Sequence, residues 1–351
     1  MYKILIVAPA WVGDTVLAQP MMSRLHELHP EGLQLDVLAP AWTRPLLSRM
    51  PEVHATFDNP FAHGQIRLKA RFQLGRSLAV QGYDQTIVLP NSLKSAIVPF
   101  FASIGKRTGF KGEQRYGLLN DLRQLDKTAL PTMAERFAWL AEDKSASPLP
   151  ASALKQPKLT STRAQQLSTL SALGLSDELP VLVLCPGAEY GPAKRWPSQH
   201  FGKVGQDAIA AGMQVWLLGS GKDSEVAEEI RQTCPEAINL CGNTSLTQAI
   251  DLIAVASQVI SNDSGLMHVA AALDKPMVAI YGSSSPDFTP PLSAKAKLAH
   301  LALECSPCFE RTCPLGHLKC LEDLAPNIVW QKLEFIQNKK GQPPKTAEQH
   351  A

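Results

Sequence analysis

Apolar positions along the chain fall into short continuous runs separated by amphipathic stretches. The runs at 2–8, 34–39, 53–57 and 84–89 predict buried strands. Between the first two, Leu17, Met21, Leu25 and Leu28 recur at helical spacing, and helices are further predicted at 67–81 and 93–103. Such alternation implies a parallel sheet covered by helices on both faces. Residues 143–162 (D-K-S-A-S-P-L-P-A-S-A-L-K-Q-P-K-L-T-S-T) lose the period and predict a linker. The pattern then restarts. Strands are expected at 180–185, 213–218, 258–261 and 277–281, and helices at 198–211, 224–234, 246–256 and 265–273. A last helix is expected at 327–337, followed from Lys339 by a polar tail. The expected class is α/β, with two Rossmann-like domains at 1–160 and 161–325 and a C-terminal element at 326–351.

A length of 351 residues leaves room for two cores of ordinary size. A net charge of +2 excludes a polyelectrolyte binder, yet the charge is uneven. Residues 61–127 hold eleven Lys or Arg against four Asp or Glu, a local field that attracts anionic partners. Nucleic acid is one candidate, an anionic lipid or acidic sugar at a membrane surface another. Few aromatic residues interleave with the cations, which weakens the nucleic-acid reading. No uninterrupted apolar stretch reaches transmembrane length, and the N-terminus has no signal-peptide pattern, so a cytoplasmic protein is expected.

Chemistry is expected where strands end, because ligands of open parallel sheets gather at the strands' carboxyl ends. The first strand runs into P-A-W-V-G-D at 9–14, an acid where a dinucleotide turn would have Gly-x-Gly. Gly13 permits close backbone approach. Asp14 is either an N-cap or a carboxylate able to take a proton from a hydroxyl.

The first strand of the second half leads into 186–197, a loop of two glycines and three prolines that ends on Lys194 and Arg195. Lys194 suits a phosphate, or is simply a surface cation. The third candidate is 261–268, S-N-D-S-G-L-M-H, opening an apolar helix. Asp263 or Ser264 caps that helix, and its free N–H groups form an anion site. His268 lies one turn in, as a structural side chain or a ligand contact. The turn Gly219-Ser220-Gly221-Lys222 lacks the spacing of a P-loop.

Four of the seven cysteines crowd at Cys305, Cys308, Cys313 and Cys320, spaced C-x2-C-x4-C-x6-C. The first pair has knuckle spacing and the later gaps do not, so zinc or an iron–sulfur cluster stands as an alternative to ordinary thiols.

These motifs, in this order, resemble the ADP-heptose:lipopolysaccharide heptosyltransferases of glycosyltransferase family 9. Further marks are A-P-A-W-T-R-P-L-L-S-R-M-P-E-V at 39–53, L-P-N-S-L-K-S-A at 89–96, R-Y-G-L-L-N-D at 115–121 and Y-G-S-S-S-P-D-F-T-P-P-L at 281–292. The resemblance covers nearly the whole chain and is strongest to the branch that adds the second inner-core heptose.

It implies a GT-B fold, with acceptor on the N-terminal domain, sugar nucleotide on the C-terminal domain, and a final helix returning to the first. It implies inverting, metal-independent transfer of L-glycero-D-manno-heptose from ADP-heptose to heptosyl-Kdo2–lipid A, with no cofactor and no nucleic acid. The enzyme would touch the cytoplasmic face of the inner membrane. Asp14 matches the general base and Lys194 the diphosphate cation. Gly13, Glu189, Asp263, Ser264, Gly265 and His268 match donor-site positions. Arg67, Lys69, Arg71, Lys94, Lys111 and Arg115 are the acceptor candidates. Transfer at another inner-core step, or binding of a nucleotide sugar or anionic lipid without catalysis, are the alternatives.

Overall fold

The computed structural model describes residues 1–62 and 64–338. Two six-stranded sheets, parallel throughout, carry the chain. The first comprises β1 (Tyr2–Val7), β2 (Leu33–Ala39), β3 (Ala55–Asp58), β4 (Gln85–Val88), β5 (Lys106–Phe110) and β6 (Asp121–Arg123). The second comprises β7 (Val181–Cys185), β8 (Gln214–Leu217), β9 (Ile238–Asn239), β10 (Gln258–Asn262), β11 (Met277–Ile280) and β12 (Ala296–Ala299). The orders are β3-β2-β1-β4-β5-β6 and β12-β11-β10-β7-β8-β9. Counted within its own half, each sheet has the dinucleotide-binding order 3-2-1-4-5-6. Its switch points lie between β1 and β4 and between β7 and β10, so the loops after β1, β7 and β10 open onto crevices.

Central strands are apolar because both faces are covered: Ile4, Leu5, Ile6, Leu182, Val183 and Leu184 are fully buried. Four strands were not expected from the pattern, namely β5, β6, β9 and β12. They flank the core and are short or polar, as sheet margins are. The helix expected through Leu17–Leu28 is two helices, Val12–Leu17 and Gln19–Leu28, divided where Pro20 enters the first turn of the second. The stretch 93–103 is a 3-10 turn, Leu93–Ala96, followed by a helical turn, Ile97–Phe101.

The expected linker is largely irregular, and it is pinned rather than loose. Lys158 is held on both backbone groups by the Gln19 side chain, and the Leu159 N–H donates to Ala272 O. The helix Pro326–Asn338 buries Val329 and Leu333 in the core cluster of the second sheet and packs against β11, β12 and helix Ser198–Ala210, where the resemblance implied a return to the first sheet. The tail from Lys339 lies outside the described residues. No helix among those residues is long and apolar enough to cross a membrane.

Candidate active site

The two halves meet through the loops that follow their switch-point strands. Helix Val12–Leu17 packs on helix Gly265–Ala272, and each helix presents a glycine to a side chain of the other. A β-carbon on Gly13 would lie 2.8 Å from His268 Cδ2, and one on Gly265 would lie 2.9 Å from Val12 Cβ. Only hydrogen at these two positions lets the helices come so close.

Asp14 is the third residue of its helix, not the cap. The N-cap is Trp11 in extended conformation, so the capping reading fails because the helix starts at Val12. Partial burial pushes the Asp14 carboxyl up to about 6, with Lys194 opposing the rise and Asp263 adding to it. These influences place a residue of the first half in the field of a pair from the second.

That pair is an ion pair. Lys194 Nζ lies 2.5 Å from Asp263 Oδ2, with the carboxylate almost wholly buried. Lys194 sits in the 3-10 turn Pro192–Lys194, its ammonium 5.1 Å from the centroid of Tyr190. Asp263 follows β10 directly, and its N–H donates to Ile280 O. Ser264 is the N-cap of helix Gly265–Ala272 and makes no side-chain capping bond, so no side chain closes off the helix's leading N–H groups. His268 is buried, and burial pulls its imidazole down to about 4, more than Asp263 restores. At neutral pH it is therefore an uncharged wall beside Gly13.

Side chains that the motif reading passed over hold these loops in register. Asn262 donates to Pro186 O at 2.7 Å and accepts from Trp196 N–H at 3.1 Å, stitching the loop after β10 to both ends of 186–197. Asp223 accepts from Ser220 N–H and Oγ, and its carboxylate fills the space where a Gly187 β-carbon would stand, 2.5 Å away. Glu189 is exposed and pairs with Lys222 at 2.5 Å, joining the same loop to the Gly219–Lys222 turn. The hydroxyls of Ser283 and Ser284 are buried without protein partners, and Ser283 N–H donates to Ala193 O beside Lys194. The only sequence signal for them was the triple serine after a strand.

The basic region divides. Arg71 is buried and donates to Ile66 O, Lys94 O and Gln65 O while its guanidinium lies 4.0 Å from the centroid of Phe61. Arg115 is 1% exposed and donates to Pro90 O, Phe110 O, Ser95 Oγ and Asn91 Oδ1. Desolvation drops its pKa to about 10. Both are structural clamps, unavailable to a ligand in this arrangement. Arg67, Lys69 and Lys111 are exposed and Lys94 is half-buried. Among them, Arg67 begins helix Leu68–Ala79 in the left-handed conformation, φ 44°.

The four clustered cysteines are free, and they line a cavity against Ala193 on the loop that carries Lys194.

A model of glycosyltransferase family 9 (heptosyltransferase) matches residues 71–319. Lipopolysaccharide heptosyltransferase 2 of Escherichia coli strain K12 is 47% identical over 343 residues, 95% of this chain and 98% of that one. The protein of the same name from Salmonella typhimurium strain LT2 is 46% identical over 348 residues, 97% of this chain and 99% of the other. The solved structure of E. coli ADP-heptose LPS heptosyltransferase II superimposes with a TM-score of 0.86 at 44% identity, covering 96% of this chain and 99% of that one.

Proposed function

Because the chain belongs to glycosyltransferase family 9, the heptosyltransferases, we propose that it moves L-glycero-D-manno-heptose from ADP-heptose to the first heptose of heptosyl-Kdo2–lipid A, in the lipopolysaccharide inner core. The names of its full-length relatives support the second-heptose step. The two-sheet architecture is the GT-B architecture that the resemblance implies.

The observation that carries the mechanism is Asp14 beside the Lys194–Asp263 pair, with a carboxyl titrating at about 6. A base of that pKa is mostly ionised at neutral pH and still basic enough to accept a hydroxyl proton. Asp14 takes the proton of the acceptor hydroxyl as its oxygen attacks the anomeric carbon. The bond from that carbon to the β-phosphate oxygen breaks on the opposite face, its electrons leave with ADP, and the configuration inverts. Negative charge gathers on the diphosphate. Lys194 and the leading N–H groups of helix Gly265–Ala272 meet it, with Ser264 Oγ as a further donor. In this reading no metal is needed at that position.

Gly13, Gly265 and His268 line the reacting space, and Asp263 orients Lys194 and meets a heptose hydroxyl. Glu189 stands at the outer edge of the donor loop. Arg67, Lys69, Lys94 and Lys111 face the phosphates and carboxylates of the acceptor at the cytoplasmic surface of the inner membrane.

The test is ADP release from ADP-heptose with heptosyl-Kdo2–lipid A, run with EDTA, for wild type and Asp14→Asn. Turnover that survives EDTA and collapses in the variant supports the reading. Turnover only with unheptosylated Kdo2–lipid A moves the step. Binding of ADP-heptose with no transfer to either acceptor leaves a binding protein.

A further inference from the structure

The segment from Cys305 to Cys320 takes no part in the proposed chemistry, yet it is built against it. Tyr190 Oη donates to Phe309 O at 2.6 Å, Ala193 N–H donates to Arg311 O at 3.0 Å, and Phe309 N–H donates to Ser283 O at 2.6 Å. Gly191 lies so near Arg311 O that a β-carbon would stand 2.4 Å from it. The segment is therefore a strap that backs the Lys194 loop. It contains one short helix, Lys319–Glu322, and otherwise almost no regular structure. Few apolar side chains hold it: Phe309 and Leu315 are exposed, and Leu321 is the fully buried anchor.

Behind the strap is a cavity of about 20 Å3, room for roughly one water-sized particle. Cys305, Cys308, Cys313 and Cys320 all line it. Ser283 and His317 line it as well, and the four sulfurs offer a soft cation four ligands of one kind. The thiols are mutual neighbours: Cys305, Cys313 and Cys308 all stand within electrostatic reach of Cys320. Backbone N–H groups of Leu318, Leu315, Gly316 and His317 point to the Cys313 sulfur. Gly316 sits at φ 70°, the left-handed turn that lets the chain fold back over that sulfur. His317 also lines the cavity, but its Nδ1 already accepts from Lys319 N–H at 3.1 Å. Among the described residues no three potential ligands stand at metal-binding spacing, and binding would have to bring the four sulfurs together.

We propose that Cys305, Cys308, Cys313 and Cys320 bind one thiolate-preferring divalent ion in a tetrahedral S4 site that fixes the strap behind the Lys194 loop. The ion is structural, because four protein ligands leave no open position. This site stands whether or not the transferase mechanism above is right.

The experiment uses the full chain, reduced and stripped of metal, titrated with Co2+ and then Zn2+. Expected are one Co2+ per chain, sulfur-to-cobalt charge-transfer absorption with tetrahedral visible bands, and bleaching by one equivalent of Zn2+. Zn2+ should also protect four thiols from a thiol reagent and raise Tm. Cys308→Ser and Cys313→Ser should lose the charge-transfer band, while Cys234→Ser, in the core of the second half, keeps it. If the strap variants fail to fold, thiol protection in the wild-type chain still decides. Four thiols that react equally fast with and without Zn2+, a cobalt spectrum without thiolate bands, or disulfides among these cysteines in protein isolated under strictly reducing conditions would each overturn the site.

Discussion

Gly13 of the first half faces His268 of the second so closely that a single added methyl would stand 2.8 Å from the ring. The imidazole is buried. The expected consequence of Gly13→Ala is overpacking, typically about 1–3 kcal/mol, and a displaced Asp14 on the next residue. In a His268→Ala background the same methyl has room. Denaturant unfolding of the four chains in a double-mutant cycle should therefore give a coupling of about 1 kcal/mol or more. An equal penalty in both backgrounds would show that the contact does not set the approach of the two helices.

Asp14 should write its ionisation into the rate. With a carboxyl titrating at about 6, kcat/KM is expected to fall about tenfold per pH unit below that value. The position of this limb depends on its neighbours. Lys194 holds the pKa down, so Lys194→Met should move the limb to higher pH; Asp263 holds it up, so Asp263→Asn should move it lower. Both changes also damage donor binding, so the position of the limb is the readout, not its height. Asp14→Asn should reduce kcat by about 10²–10⁴ and leave the Kd for ADP-heptose within a few fold.

How far the sequence reveals this site depends on what kind of contact is involved. Central strands were legible because burial on both faces writes a continuous apolar run, as in Ile4–Leu5–Ile6–Val7. The marginal strands Lys106–Phe110 and Asp121–Arg123 carry no such run. Two missed helices did announce themselves: Met133–Trp139 opens on the capping box Thr132 with Glu135, and Arg163–Leu173 on Thr162 with Gln165. Asp14, Lys194 and Asp263 were legible because strand ends are local features. The partners of Arg71 and Arg115 were not. Nothing near Arg115 in sequence shows that Pro90 O and Ser95 Oγ await it, so a cation in a basic stretch reads as solvent-facing until the fold is known.

Stability should carry a pH signature in which two groups oppose each other. His268 has a folded pKa near 4, below the usual 6.5. The unfolded chain binds the proton more readily, so this group's stabilisation is complete above 6.5 and is lost as pH falls toward 4. Asp14 has a folded pKa near 6, above the usual 3.8. The folded chain binds that proton more readily, so its contribution favours the fold at low pH and fades as pH rises from 3.8 to 6. Each shift is on the order of 3 kcal/mol, so the two nearly cancel between pH 4 and 6. In Asp14→Asn the histidine is left alone, and Tm should drop more steeply on acidification through 6.5 to 4 than in wild type. In His268→Gln the opposite slope should appear. Parallel curves for all three chains would reject the assignment.

The basic region should separate into residues that hold the fold and residues that hold the acceptor. Arg115 has nearly all its surface buried and donates to three backbone or side-chain oxygens within 3.2 Å. Arg115→Met removes these donors and leaves buried carbonyls unpaired, at about 1–3 kcal/mol for each group so exposed to an apolar neighbour. Arg71→Met removes the donors to the part-buried Gln65, Ile66 and Lys94 carbonyls and also loses the contact with the Phe61 ring. Both variants should unfold at lower denaturant. Lys69→Ala and Lys111→Ala change exposed side chains, so stability should move by no more than about 0.5 kcal/mol. If they meet the anionic acceptor, KM for heptosyl-Kdo2–lipid A should rise, the rise should shrink as salt is added, and the KM for ADP-heptose should stay put. A pair of lysine variants with unchanged acceptor KM at low salt would place the acceptor elsewhere on the first half.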